Sequence, residues 1–158
     1  MSGSLYTPDI LRLAMSIGDH PRLTHADASE EGRAPVCGSR VCVDVAVDGA
    51  GTLCAIGLDV HACAMGQAAA ALFAADCAGR TAENLSAIAV DLAEWMMGAR
   101  DAPPDWPRID LLAPARAYPA RHAAILLPFR VGALALRRAV GAVAAPGAAM
   151  GAAMDGGA

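Results

Sequence analysis

Hydrophobic spacing divides the chain into a helical start, a strand-rich middle and a helical second half. From Tyr6 to Ile17, apolar residues fall at Ile10, Leu11, Leu13, Ala14 and Ile17, which is helical spacing. Gly18 and His20-Pro21 close that helix. Leu23 to Ala28 reads as a short first strand. Residues 40–48 alternate strictly: Val41, Val43, Val45 and Val47 share one face, with Cys42, Asp44, Ala46 and Asp48 on the other. Asp44 and Asp48 read as the solvated side of that strand. Asp48-Gly49-Ala50-Gly51 has hairpin-turn chemistry, and residues 52–60 return with Cys54, Ile56, Leu58 and Val60 on one face.

From Cys63 the period changes to that of an alanine-rich helix, with Gly79 suited to its C-terminal end. Thr81 caps a helix running through Leu85, Ile88, Leu92 and Trp95 to Gly98. A proline-rich connection follows at 101–107, then a short helix over 109–117 broken by Pro114. Pro119 opens a last helix over 120–140, with a kink or restart expected at Pro128. The pattern predicts an α+β fold: an N-terminal helix, a small three-stranded antiparallel sheet, then several C-terminal helices packed on one face. Residues 1–140 read as one domain, and the Gly/Ala-rich stretch 141–158 as a disordered tail.

Composition sharpens this. The 158 residues are 56% hydrophobic but only 4% aromatic, so the core must be built from small side chains in close approach. All 12 basic residues are arginine. A net charge of −4 with no block of either sign argues against nucleic-acid binding through phosphate contacts. No apolar run predicts a membrane span, and the N-terminus has no signal-peptide pattern, so a cytoplasmic protein with reduced thiols is expected. No serine-nucleophile motif, phosphate loop or acid pair suggests an enzyme.

Candidate chemistry centres on the five cysteines. Cys37-Gly38-Ser39 precedes the valine strand, and Cys63 follows the return strand at a helix N-terminus. Antiparallel strands bring both thiols to the same end of the sheet. A helix N-terminus favours a thiolate, the form that binds metal. Cysteines in alanine-rich chains are most often small core residues, and Cys42, Cys54 and Cys77 read that way. For Cys37 and Cys63 the residues alone leave packing and ligation both open.

Four segments in order resemble one family. These are Leu5-Tyr6 with Ile10-Leu11 and His20-Pro21-Arg22; Cys37-Gly38-Ser39; the hairpin followed by Cys63 and a small-residue helix; and Pro119-Ala120-Arg121 before the last helix. From about Leu5 to Leu136 the chain resembles the U-type iron–sulfur cluster assembly scaffolds, its long central stretch being more similar to the SufU branch. The resemblance implies a scaffold that holds iron, a transient iron–sulfur cluster or zinc, and that works with a cysteine desulfurase and apo iron–sulfur proteins. In that family three cysteines and an aspartate gather at one end. Cys37 and Cys63 match two of them, whereas Ser39 stands at the aspartate and Ala124 at the third cysteine. Two thiolates leave a four-donor site half built, so either a homodimer completes it or no metal is bound. His61 and His122 are the candidate replacement donors. His122 lies two residues before position 124, about 200° away around a helix. The alternative reading is a metal-free interaction protein that docks on assembly partners.

Overall fold

The computed structural model describes residues 4–144. Helix α1 (Pro8–Met15) is capped by the Thr7 hydroxyl, which accepts from the Ile10 N–H, and a 3₁₀ turn (Ser16–Asp19) extends it. Three strands follow, β1 (Ala28–Ala34), β2 (Ser39–Val47) and β3 (Leu53–His61), forming an antiparallel sheet in the order β1-β2-β3. Helices α2 (Ala64–Asp76) and α3 (Ala82–Met97), a 3₁₀ segment (Ile109–Ala117) and α4 (Pro119–Ala144) complete the described chain. The expected α+β architecture is observed.

Val41, Val43 and Val45 are fully buried. They face α4, which packs across β1 and β2 and against α2 and α3. Ala68 to Ala71 are buried too, and their small size lets α2 approach its neighbours closely. Larger volume comes from one aromatic cluster joining α2, the proline-rich connection and α4. Phe73 stacks on Trp106 with centroids 5.9 Å apart, and Phe129 meets both rings edge-on. The Trp106 indole N–H donates to the Leu72 carbonyl at 3.0 Å.

Several sequence expectations shift. The first strand is Ala28–Ala34, not residues 23–28. Its inward positions, Ala28, Glu30, Gly32 and Ala34, are small or charged, so the strand carries no hydrophobic alternation to read. Glu30 reaches Arg138 of α4 at 2.6 Å, and Gly32 lies directly beneath Val131 and Leu127. Helix α4 runs through Pro128 without a restart. Its last turn takes in residues 141–144, the start of the tail that the sequence predicts, and residues 145–158 lie outside the described part.

Asp44 is not solvated; it is 1% exposed. Arg22 grips its carboxylate through two N–H···O bonds of 2.6 and 2.8 Å, Ser29 Oγ donates at 2.6 Å and the Leu23 N–H at 3.0 Å. The segment around Arg22 therefore lies across the sheet face opposite the valines. It can do so because the cross-strand partner of Asp44 is Gly57. A Cβ at Gly57 would stand 2.6 Å from both the Pro21 carbonyl and the Leu23 nitrogen. This also explains why Leu23 is not in a strand: its N–H is spent on Asp44.

Cys54 departs from expectation as well. The β2–β3 register shifts at Ala46/Val47, where Val47 pairs with Leu53 and Ala46 with Ala55. Cys54 is the extra residue of that bulge. It is exposed rather than packed, and Leu53 takes its place in the core.

Burial pushes the Asp44 carboxyl up, but the Arg22 guanidinium, Ser29 hydroxyl and Leu23 N–H outweigh it and hold it below the usual aspartate range. A lowered folded-state value stabilises the fold above the unfolded value, and that stability is lost as pH falls through the folded one. Asp44→Asn should cost about 2–3 kcal/mol at neutral pH. Its urea midpoint should fall less steeply than the wild-type midpoint between about pH 5 and pH 2. Parallel midpoint–pH curves would contradict the role given to this carboxylate.

Candidate functional site at the end of the sheet

The β1–β2 turn and the β3–α2 junction meet at one end of the sheet. In the turn, the N–H groups of Cys37 and Gly38 both donate to the Ala34 carbonyl, and Gly38 takes φ +70°, a conformation glycine adopts without strain. At the junction, Cys63 is the N-cap of α2 and its carbonyl accepts from the Gln67 N–H at 2.9 Å. Pairing of Arg40 with His61 across β2 and β3 brings these two ends together. The result is an open cleft of about 390 Å³ lined by Cys37, Gly38, Ser39, Val60, His61, Ala62, Cys63 and Gln67.

Both expected thiols thus line one cleft, each half-buried. Cys37 Sγ lies 3.0 Å from Ser39 Oγ, and Ser39 is only 3% exposed. Desolvation works to raise the Cys37 pKa. The Ser39 hydroxyl and N–H and the positive charge of Arg121 outweigh it and bring the thiol below its ordinary value. Burial instead pushes Cys42 up, and Cys77 to about 12. Those two thiols are buried, as their packing role requires.

The replacement donors fare differently. His61 lines the cleft but is largely exposed, its Nε2 turned to Asp59 at 3.3 Å. His122 is absent from the cleft lining; its Nε2 bonds the Ala115 carbonyl at 3.0 Å. Ala124 is fully buried against the first turn of α2, where a Cβ on Gly66 would lie 3.3 Å from its own. Two contributions to the cleft were not read from sequence, that of Gln67 and the action of Arg121 on Cys37. Gln67 stands one turn beyond Cys63, a spacing that itself signals a shared helix face. The charge of Arg121 at Cys37 arises from tertiary packing of α4 and leaves no local signal.

No protein-family model matches the chain, and neither does any curated protein. Solved structures do. The N-terminal part of a nitrogen-fixing NifU-like protein from Brucella abortus is 30% identical, with 85% of this chain and 94% of that one covered and a TM-score of 0.75. The chain belongs to the U-type iron–sulfur cluster assembly scaffold family. A scaffold protein for the SUF system from Fervidobacterium islandicum AW-1 shares the fold at 22% identity, with 85% and 99% coverage and a TM-score of 0.70. The NifU-like neighbour is the more identical of the two, so they do not single out the SufU branch.

Against the family's four-donor set, this site is short. Among the described residues no group of three or more His, Cys, Asp or Glu side chains is placed to hold a metal ion. One chain offers two thiols, a neutral hydroxyl and an imidazole turned to a carboxylate. That donor set does not by itself fit a closed tetrahedral site.

The hydroxyl gives a direct test. Ser39→Ala removes the leading hydrogen bond to the Cys37 thiolate and should raise its pKa. Alkylation of Cys37 by iodoacetamide near neutral pH, followed by peptide mass spectrometry, should slow several-fold. An unchanged rate would show that Ser39 does not tune this thiol.

Proposed function

We propose that the protein serves iron–sulfur cluster assembly by binding iron or a transient cluster through Cys37 and Cys63, with the remaining donors supplied from outside the chain, for transfer to apo-proteins. The observation that carries this reading is the convergence of these two thiols in one open cleft on a scaffold fold. Thiolates are soft, bridging-capable ligands suited to iron and to zinc. A lowered Cys37 pKa means less proton release is needed before it ligates. Sulfur would arrive from a cysteine desulfurase partner and iron from a separate donor, and the assembled cluster would leave to an acceptor, in the reducing cytoplasm where all five cysteines stay free. No catalytic group is required of the chain. No helix among the described residues is long and apolar enough to cross a membrane.

A second reading has its own support. Ala124 and Ser39 stand where the family's resemblance implies a thiolate and a carboxylate, and both are buried in place. This favours a metal-free protein that keeps the fold in order to dock on assembly partners.

Metal analysis separates the two. After anaerobic reconstitution, wild-type protein should hold iron well above background, and Cys37→Ala with Cys63→Ala should hold none. Restoring the donors with Ser39→Asp and Ala124→Cys should give about one metal ion per chain. The added sulfur at position 124 should cost about 1–3 kcal/mol in packing. Wild-type protein that stays metal-free while this donor-restored variant loads would overturn the iron-binding reading, and capture of a cysteine desulfurase by that metal-free protein would support the docking reading instead.

A further inference from the structure

Helices α3 and α4 leave an open groove of about 560 Å³ on their outer face, and none of its lining residues belongs to the thiol cleft. We propose that a second copy of this chain seats in this groove, α3 of each copy packing on α4 of the other about a two-fold axis that runs along it.

An unpartnered apolar face is the first observation. Val90 and Met97 project from one side of α3 at 57% and 68% exposure, and Leu134 of α4 is 53% exposed. Between them Ala89, Ala93 and Ala133 form a buried floor. Small side chains at the bottom and large ones on the walls let another helix pair approach closely. Large apolar side chains gathered in water and rimmed by charge mark an interaction surface.

The charges on the rim say what fits. Glu94 stands on the α3 wall, Arg130 and Arg137 on the α4 wall, and all three are exposed. Neither Glu94 nor Arg130 makes an ion pair among the described residues. The occupant must therefore offer a cation to α3 and an anion to α4. Residues 145–158, which follow α4, include Asp155 but no basic residue, so they leave Glu94 without a partner. The groove face itself offers both charges.

Their levels along the groove complete the match. Arg137 donates to Ser86 Oγ at 3.1 Å, and since Glu94, Met97 and Arg130 line the same groove, the two helices pass in opposite directions. At about 1.5 Å per residue from that bond, Glu94 and Arg130 lie level with each other, roughly 10–12 Å along. Val90 and Leu134 are level as well, about 5–6 Å along. A half-turn about the groove axis keeps every level and exchanges the walls. It sets Glu94 of each copy against Arg130 of the other, and Val90 against Leu134, each pair occurring twice. Such a patch is self-complementary, as a two-fold interface requires. The pairing uses no metal and so stands apart from the function proposed for the cleft.

Sedimentation velocity of the full chain with a chelator present tests this. Wild-type protein should show a concentration-dependent monomer–dimer equilibrium. Glu94→Arg and Arg130→Glu each oppose two pairs of like charges, and each alone should weaken the dimer roughly ten-fold or more. Both positions are exposed, so circular dichroism should stay as in the wild type. An equimolar mixture of the two variants restores both attractive pairs and should dimerise as the wild type does. Wild-type protein that remains monomeric up to about 1 mM would overturn the proposal. Dimerisation that appears only after residues 145–158 are removed would assign the groove to that segment and overturn it too. A dimer indifferent to either reversal, or a mixture that fails to associate, would equally contradict the pairing.

Discussion

The antiparallel register of β2 on β3 is the constraint on which the site depends. Cys37 and Cys63 are distant in sequence and belong to different turns, and only the pairing of Arg40 with His61 brings those turns together. Side chains alternate faces along a strand, so a slip of one residue would turn the valines out of the core and separate the thiols. Three features oppose such a slip. The valine stripe is buried under α4, the bulge at Cys54 fixes the far end of the hairpin, and Arg22 clasps Asp44 across the face where Gly57 leaves room. The clasp links the segment after α1 to the middle strand, so the N-terminal region and the sheet hold each other in place. Asp44 is buried yet fully hydrogen-bonded, which is the condition under which a carboxylate can occupy such a position.

On this frame the five thiols have different environments. Cys77 packs in the core and Cys42 is buried on the clasped face, both held in the neutral form by desolvation. Cys54 is exposed at the bulge, its Sγ donating to the Ala46 carbonyl. Cys37 alone combines partial exposure with a neighbouring hydroxyl and a nearby guanidinium that favour its thiolate. Cys63 meets it across the cleft from the start of α2. The chemistry of the site is therefore that of two thiols without a carboxylate. This distinguishes the chain from the donor set its family implies, although its fold is that of the family.

Most of the architecture was legible because it is carried by periodicity. The valine alternation, the glycine-bearing turn at 48–51, the Thr81 cap and the helix end at Gly98 each act locally and appear in the structure as read. The convergence of Cys37 and Cys63 was legible for the same reason, since a hairpin returns its ends to one side. What escaped depends on partners far along the chain. Strand β1 is stabilised by Arg138 and Val131 of α4 and not by its own pattern. Asp44 looked solvated because its counter-charge, Arg22, lies outside the strand. Cys54 looked buried because a bulge adds one residue and breaks the alternation without changing the composition. The inward helix α4 brought Arg121 to the site and tied His122 to Ala115, neither of which a spacing rule can anticipate.

The meeting of Cys37 and Cys63 in one cleft underlies the chemistry of the site. Dibromobimane measures it directly, because it becomes strongly fluorescent only when it bridges two neighbouring thiols. Wild-type protein and Cys54→Ala should fluoresce equally, and Cys37→Ala or Cys63→Ala should each abolish the signal. Tandem mass spectrometry should find the bridge between residues 37 and 63. A signal that survives either of those two substitutions, or no bridged product in the wild type, would contradict the convergence of these thiols.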